Sequence, residues 1–490
     1  MRVRPPQISA ELPWLNVQTP LSLQKLKGHI VLLKFWTLGC INCLHMMPVM
    51  QQLEQHYGPA LTIIGIHSAK FEAEQSPDRV QQAITQHGIS HPVVVDKGLQ
   101  LWQAYAVKAW PTLVFIDAKG YIVRQISGER SIEQLQHILA PLAAPLATPL
   151  TADTGLQATP PAAPAFRAPV LRFPSKLLAT ETQLFIADSG HHRIVVTDPT
   201  GQVQHVIGAG TAGLQDGDFA TATFNHPQGL AWDAQQQQLY IADAGNHALR
   251  QADFIQQRVT TLAGNGTQNR AIFPHGGMGT ALLLNSPWDL VLLAAQQQLY
   301  IAMAGAHQIW VMDLATGRLE TYLGTGAEGC MDGDRTVAAF AQPSGLATDG
   351  QMLYVADSET SCIRQVHLGS DPWVETLCGS GGLFDFGDRD GVGEAVRLQH
   401  PMDVAIGGAA TLLIADTYNG KLKQLSLTTK QCQGLPQPLN QPSGIAYQAP
   451  QIYVTDASDH PIKVINCDRS SHSILALDPA PLRSLQLSGE

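Results

Sequence analysis

The strongest constraint on this chain is a segment that recurs six times in its second half. LFIADSGHHRI (184–194), LYIADAGNHAL (239–249), LYIAMAGAHQI (299–309), LYVADSETSCI (353–363), LLIADTYNGKL (412–422) and IYVTDASDHPI (452–462) align without gaps. Each reads as a buried strand, a polar turn and the start of a second strand. A strand opened by proline precedes each copy, at Pro174, Pro227, Pro287, Pro343, Pro401 and Pro442. Spacings of 53, 60, 56, 58 and 41 residues between these prolines accommodate four short strands per unit. One such unit cannot bury its own faces. Six in a closed ring bury them against each other and leave only short edges. Residues 166–490 are therefore predicted to form a six-bladed β-propeller.

Within the repeat, Asp188, Asp243, Asp357, Asp416 and Asp456 end the first strand, and Met303 replaces the acid in the third copy. A carboxylate there is expected to accept backbone N–H bonds and fix the following turn. A second element joins blades as Asp216-Gly217-Asp218, Asp332-Gly333-Asp334 and Asp388-Arg389-Asp390-Gly391, whereas the junction at 264–279 runs differently. The full EF-hand loop is missing, so these stretches read as long, acidic, partly helical loops on one face, open to a partner, rather than as calcium sites. His226, His275, His307 and His400 lie near junctions and are read first as loop or core residues. Channel-facing metal ligands of a propeller lyase or lactonase are the alternative.

The first part is of another kind. Strand-like runs at 30–33, 61–66, 92–95, 113–117 and 121–127 alternate with helical stretches at 40–57, 78–87, 99–105 and 131–140, the last capped by Ser131. That pattern implies a mixed α/β sheet over 1–140. Between its first strand and first helix lies Trp36-Thr37-Leu38-Gly39-Cys40-Ile41-Asn42-Cys43. Free backbone N–H groups at a helix start stabilise a thiolate on Cys40. The three-residue spacing brings Cys43 within one turn to form or resolve a disulfide. A zinc half-site would need two more ligands, and no second CxxC or CxxH exists. Cys330, Cys362, Cys378, Cys432 and Cys467 have no paired spacing and read as small buried core residues.

Residues 141–165, rich in Pro, Ala and Thr with one charge, read as an extended tether between the two parts. The first 140 residues hold 12 basic and 9 acidic side chains, and the remainder 18 and 31. An acidic second part argues against binding a phosphate backbone. No run approaches the ~18 apolar residues of a membrane span, and no apolar leader precedes Asn16, so a cytoplasmic protein is expected.

The runs FWTLGCINCLHMMP, GIHSAKFEAE (65–74) and AWPTLVFIDAKGYIV (109–123) resemble the thioredoxin fold, in its TlpA-like and alkyl-hydroperoxide-reductase-like branch. The resemblance implies that Pro111 is cis and lines the substrate groove facing the dithiol, and that Pro48 kinks the first helix. Two departures stand out. Lys34 occupies the place of the family's buried acid and either lies near the thiols or faces solvent. Thr37-Leu38-Gly39-Cys40 matches part of a peroxiredoxin signature, but Leu33 stands where its proline should be.

The repeats resemble NHL repeats. The whole chain is similar to the NHL repeat-containing protein 2 family; its larger members carry a further β-domain at the C-terminus, which is expected to be missing here. A multidomain α/β plus all-β protein follows, a thioredoxin-like fold and then a six-bladed NHL propeller. Its expected activity is thiol–disulfide exchange by Cys40, Cys43 and Pro111, with no cofactor beyond the dithiol and no metal, and with the propeller recruiting a protein. A binding scaffold with a vestigial thioredoxin-like part is the alternative.

Overall fold

The computed structural model describes residues 3–144 and 170–478, apart from 272, 273, 275, 409, 459 and 467–471. The chain divides into two compact units, Met1–Arg167 and Ala168–Glu490.

The first unit is built on a six-stranded sheet in the order β1-β4-β3-β2-β5-β6. Its strands are β1 (Trp14–Leu15), β2 (Ile30–Trp36), β3 (Leu61–His67), β4 (Val93–Val95), β5 (Thr112–Ile116) and β6 (Ile122–Ser127). The central pair β2/β3 is parallel, and β5 runs antiparallel to β2. Helices α1 (Ile41–Tyr57), α2 (Pro77–Gln86), α3 (Gln100–Ala104) and α4 (Ile132–Ala143) complete it. Strand alternation splits β2 between two cores. Val31, Leu33 and Phe35 join one, while Ile30 and Leu32 pack with Met46, Met50 and Leu53 of α1 and Leu135 and Leu139 of α4. Ser131 caps α4 by a reciprocal box with Gln134. That helix runs to Ala143 through Pro141, so the Pro/Ala-rich stretch begins as its last turn rather than as tether. Residues 145–165 of the expected tether lie outside the described residues.

The second unit is a six-bladed β-propeller of antiparallel sheets. Its blades begin with inner strands Leu177–Ala179, Pro227–Asp233, Pro287–Leu293, Pro343–Thr348, Asp403–Ile406 and Pro442–Gln448. Blades 2 to 5 carry five strands rather than four. The extra two-residue edge strands, Gly217–Asp218, Gly277–Met278, Gly333–Asp334 and Gly391–Val392, come from the junction loops. The loops expected to be partly helical and open thus spend their centres on an outer edge, which shields it.

The repeat aspartates are fully buried and accept a backbone N–H from the incoming junction, as Asn225 N donating to Asp243 (2.8 Å) and Ala341 N to Asp357 (2.7 Å) illustrate. Each also faces a cation: Arg193, Arg250, Arg364, Lys423 and Lys463. In blades 2, 4 and 5 that cation is shared with the first acid of the preceding junction, Asp216, Asp332 and Asp388. Blade 3 lacks all three partners. Met303 replaces the acid, buried Trp310 stands seven residues on in place of the cation, and its junction has no Asp-Gly-Asp. In blades 2 and 4 these acids face a buried cation, so Met303, Trp310 and the divergent junction are read together as the loss of one charged cluster.

The junction histidines staple blades together. His192 Nδ1 accepts from His226 N (3.2 Å), His247 Nδ1 from Ser286 N (3.0 Å) and His307 Nδ1 from Gln342 N (3.1 Å). Ser361 Oγ takes this part for His400 N (3.2 Å). The same bond closes the ring, from Phe173 N to His460 Nδ1 at 3.0 Å. His226, His307 and His400 are therefore turn residues, all at positive φ; His275 lies outside the described residues. Around the axis, the inner strands enclose a cavity of about 370 Å³. Its charged lining is Lys176, held by Asp403 (2.6 Å) and Asp289 (3.3 Å), and includes none of these histidines.

Candidate redox site

Strand β2 ends at Trp36, the three residues Thr37, Leu38 and Gly39 carry the chain round, and Cys40 becomes the N-cap of α1. The Cys43 N–H donates to Cys40 Sγ at 3.2 Å while also approaching the Cys40 carbonyl at 3.0 Å. The first sulfur therefore occupies the acceptor position that a serine or aspartate cap would fill. Cys40 is 9% exposed and Cys43 is fully buried, so only the first thiol can meet a substrate. Both are thiols rather than halves of a disulfide, and they share an apolar cluster with Trp36 and Met47, against which Leu38 and Trp110 pack.

Pro111 follows Trp110 through a cis peptide bond, just before β5. The pairing of Phe35 with Thr112 sets this bend beside the end of β2 that leads to the dithiol. Trp110 is held by its indole N–H on Ser68 O (2.9 Å), and Pro111 O accepts from Gly128 N (2.8 Å). Cys40, Cys43 and the Trp110-Pro111 bend thus come to one end of the sheet.

Lys34 does not face solvent. It falls on the same face of β2 as Ile30 and Leu32, beneath α1, and is fully buried. Its ammonium donates to Cys43 O at 3.2 Å and contacts Met47 Sδ. Burial lowers its pKa to about 8, against the opposing pull of Cys43, Cys40 and Glu54. A group near its midpoint at neutral pH can give or take a proton, which an ordinary lysine cannot.

The sequence reading missed Glu74, a fully buried acid from the FEAE run. It accepts from Thr37 Oγ1, from Gly39 N (2.9 Å) and from Lys70 N (3.0 Å), so one carboxylate holds the whole loop before Cys40. Only position in the thioredoxin-like run could have signalled it, since a lone acid among two others has no periodicity. The Thr37 hydroxyl of the Thr-x-x-Cys run donates to Glu74 and accepts from Lys70 N (3.2 Å).

The Asp-Gly-Asp acids are likewise engaged inside the protein. Their first members bind the blade cations, and Asp218 and Asp334 cap their own turns through Thr221 and Thr336. Among the described residues no group of three or more His, Cys, Asp or Glu is arranged to hold a metal ion, and no helix is long and apolar enough to cross a membrane.

Fold and site together define a thioredoxin-like unit carrying a CxxC pair, joined in one chain to a six-bladed propeller. A family model described as thioredoxin-like matches residues 28–122. Over 96% of its length the chain is 36% identical to NHL repeat-containing protein 2 from Homo sapiens, covering 71% of that protein. It is 38% identical, again over 96%, to Protein SUPPRESSOR OF QUENCHING 1, chloroplastic, from Arabidopsis thaliana, and spans about half of that relative (48%). A stretch covering 24% of the chain is 34% identical to thiol-disulfide oxidoreductase ResA from Bacillus anthracis, of which it covers 66%. The chain belongs to the NHL repeat-containing protein 2 family.

Proposed function

We propose that the first unit is a thiol–disulfide oxidoreductase and that the propeller recruits its protein substrate. The observation that carries this is the Cys43 N–H bonded to Cys40 Sγ at the start of α1, with a buried lysine behind Cys43. In the reductive direction the Cys40 thiolate attacks one sulfur of a substrate disulfide. A mixed disulfide forms and the other substrate sulfur leaves as a thiolate. Neutral Lys34 takes the Cys43 proton, and the Cys43 thiolate attacks Cys40 Sγ. The Cys40–Cys43 disulfide forms, and the second substrate thiolate departs. Two electrons pass from the dithiol to the substrate. Cis-Pro111 and Trp110 line the groove in which the substrate chain lies. No cofactor beyond the dithiol is needed. A reducing compartment such as the cytoplasm would keep this dithiol in its reduced, attacking form.

Equilibration of the purified protein in thiol buffers of graded potential, with alkylation of Cys40 and Cys43 read by mass spectrometry, tests the proposal. A two-electron transition near the thioredoxin range, roughly −270 mV, is expected for a reductase. A pair that never forms a disulfide would leave the scaffold reading in its place. Cys43→Ser should accumulate mixed disulfides with protein partners.

A further inference from the structure

Of the four described cysteines of the propeller, Cys362, Cys378 and Cys432 are buried core residues as expected, and Cys330 is half-buried. Cys330 lies in the junction before blade 4, and Cys362 begins that blade's third strand. Though 32 residues apart in the chain, the two sulfurs are neighbours and act on each other electrostatically, while the Cys362 thiol donates to Thr360 O (3.3 Å) and Cys330 Sγ lies 3.7 Å from Thr376 Oγ1. Gly381 crosses directly over the pair. A Cβ added there would stand 2.8 Å from Cys330 Sγ and 3.9 Å from Cys362 Sγ, and one at Gly379 would stand 2.8 Å from Cys362 Sγ. Two glycines at positive φ thus leave the space in which the sulfurs meet.

The two thiols differ in the way that exchange chemistry requires. Cys330 is half-buried, whereas Cys362 is fully buried. The neighbouring Cys362 thiol and, next, the Arg364 guanidinium hold Cys330 below the usual thiol range against the effect of burial. The neighbouring Cys330 sulfur and then burial push Cys362 well above that range. Arg364 is anchored by Asp332 (2.9 Å) and Asp357 (3.1 Å), so the cation that repeats blade by blade for structural reasons here also faces a sulfur. The pair Cys378 and Cys432 is of a different kind, with both members fully buried in the core between blades 4 and 5.

We propose that Cys330 and Cys362 form a second dithiol, on the propeller, that is oxidised to an intramolecular disulfide by exchange with a low-molecular-weight disulfide. The Cys330 thiolate attacks one sulfur of the small disulfide, forming a mixed disulfide and expelling one small thiolate. Cys362 loses its proton to solvent base and attacks Cys330 Sγ. The Cys330–Cys362 bond forms and the second small thiolate leaves. The protein loses two electrons and the small disulfide gains them. A small reagent is specified because the attacking sulfur is only half exposed and its partner lies beneath it.

The test is to incubate the full-length chain with oxidised and reduced glutathione in graded ratio, quench with acid and map peptides without reduction. It is run on the unaltered chain and on Cys40→Ser/Cys43→Ser, so that the result is independent of the first unit's activity. The expected product in both is a Cys330–Cys362 cross-linked peptide whose yield rises with the oxidised fraction and returns to zero on reduction. Cys362→Ser should replace it by a Cys330–glutathione mixed disulfide, and Cys330→Ser should leave Cys362 unmodified. A mixed disulfide at Cys330 that persists in the unaltered chain, a cross-link from Cys362 to Cys378 instead, or no modification of Cys330 at any ratio would each overturn the proposal.

Discussion

The Lys34 ammonium lies 3.2 Å from the carbonyl oxygen of Cys43, fully buried beneath the helix that carries both cysteines. A thioredoxin-like unit usually sets an acid at this place, and the exchange inverts the electrostatics. A buried cation favours both thiolates and hence the reduced form.

Lys34→Met should therefore shift the Cys40/Cys43 reduction potential to more negative values and slow resolution of the mixed disulfide most at and above pH 8, where the lysine is neutral and can take the Cys43 proton. Its effect on stability has a definite sign. With the folded pKa at about 8 and the usual value at 10.5, the unfolded chain binds the extra proton between those limits. Stability from this group therefore rises with pH from 8 to 10.5, and its cost is fully present below 8. At pH 7 the variant should gain up to ~3 kcal/mol, less the bonds to Cys43 O and Met47. Denaturant melts at pH 7 and 10 check both the gain and its disappearance.

Glu74 accepts from Thr37, Gly39 and Lys70 in a fully buried setting. Glu74→Ala strands these donors, each costing about 1–3 kcal/mol if no water replaces the carboxylate. We expect a loss of several kcal/mol in the first unit and faster alkylation of Cys40 as its loop loosens. Unfolding curves and iodoacetamide kinetics on the same variant test this.

Blade 3 offers a natural experiment for blade 4. Asp357→Met alone leaves Arg364 buried with only Asp332 as counter-charge and should cost about 3–5 kcal/mol. Adding Arg364→Trp, the pairing that Met303 and Trp310 already make, should cost less than the sum of the single changes. A double-mutant cycle by urea unfolding would show coupling of ~1 kcal/mol or more. Strict additivity would refute the shared cause proposed for Met303 and the 264–279 junction.

His192 can accept from His226 N only while its Nδ1 is unprotonated. Burial and then the nearby Arg172 charge hold its pKa near 4, below the usual 6.5. The unfolded state takes the proton first, so this group's stabilisation is complete above pH 6.5 and is lost as pH falls towards 4. His192→Asn keeps an acceptor and cannot titrate. The difference between its melting temperature and that of the unaltered chain should change across pH 4–6.5 and be constant above it.

Much was legible in the sequence because it is written locally. Strand alternation, a Ser cap, a CxxC at a strand-to-helix turn and six copies of one segment are short-range patterns. They yield the elements of the first unit within a residue or two at most ends. Lys34 was half legible: counting alternate residues from Ile30 through Leu32 already sets it under α1. Glu74, the Cys330–Cys362 pair and the histidine staples were not legible, because each joins residues from distant turns whose approach depends on how blades and loops pack.

The sequence alone determined the class of fold, since repeated apolar strands can be buried only by closing a ring, and it determined where the Cys40 thiol sits, at a strand-to-helix turn. Tertiary structure alone decided which groups surround that thiol, which carboxylates are spent on buried cations, and which cysteines meet. Those outcomes depend on desolvation and distance, and both are properties of the packed chain rather than of any one segment.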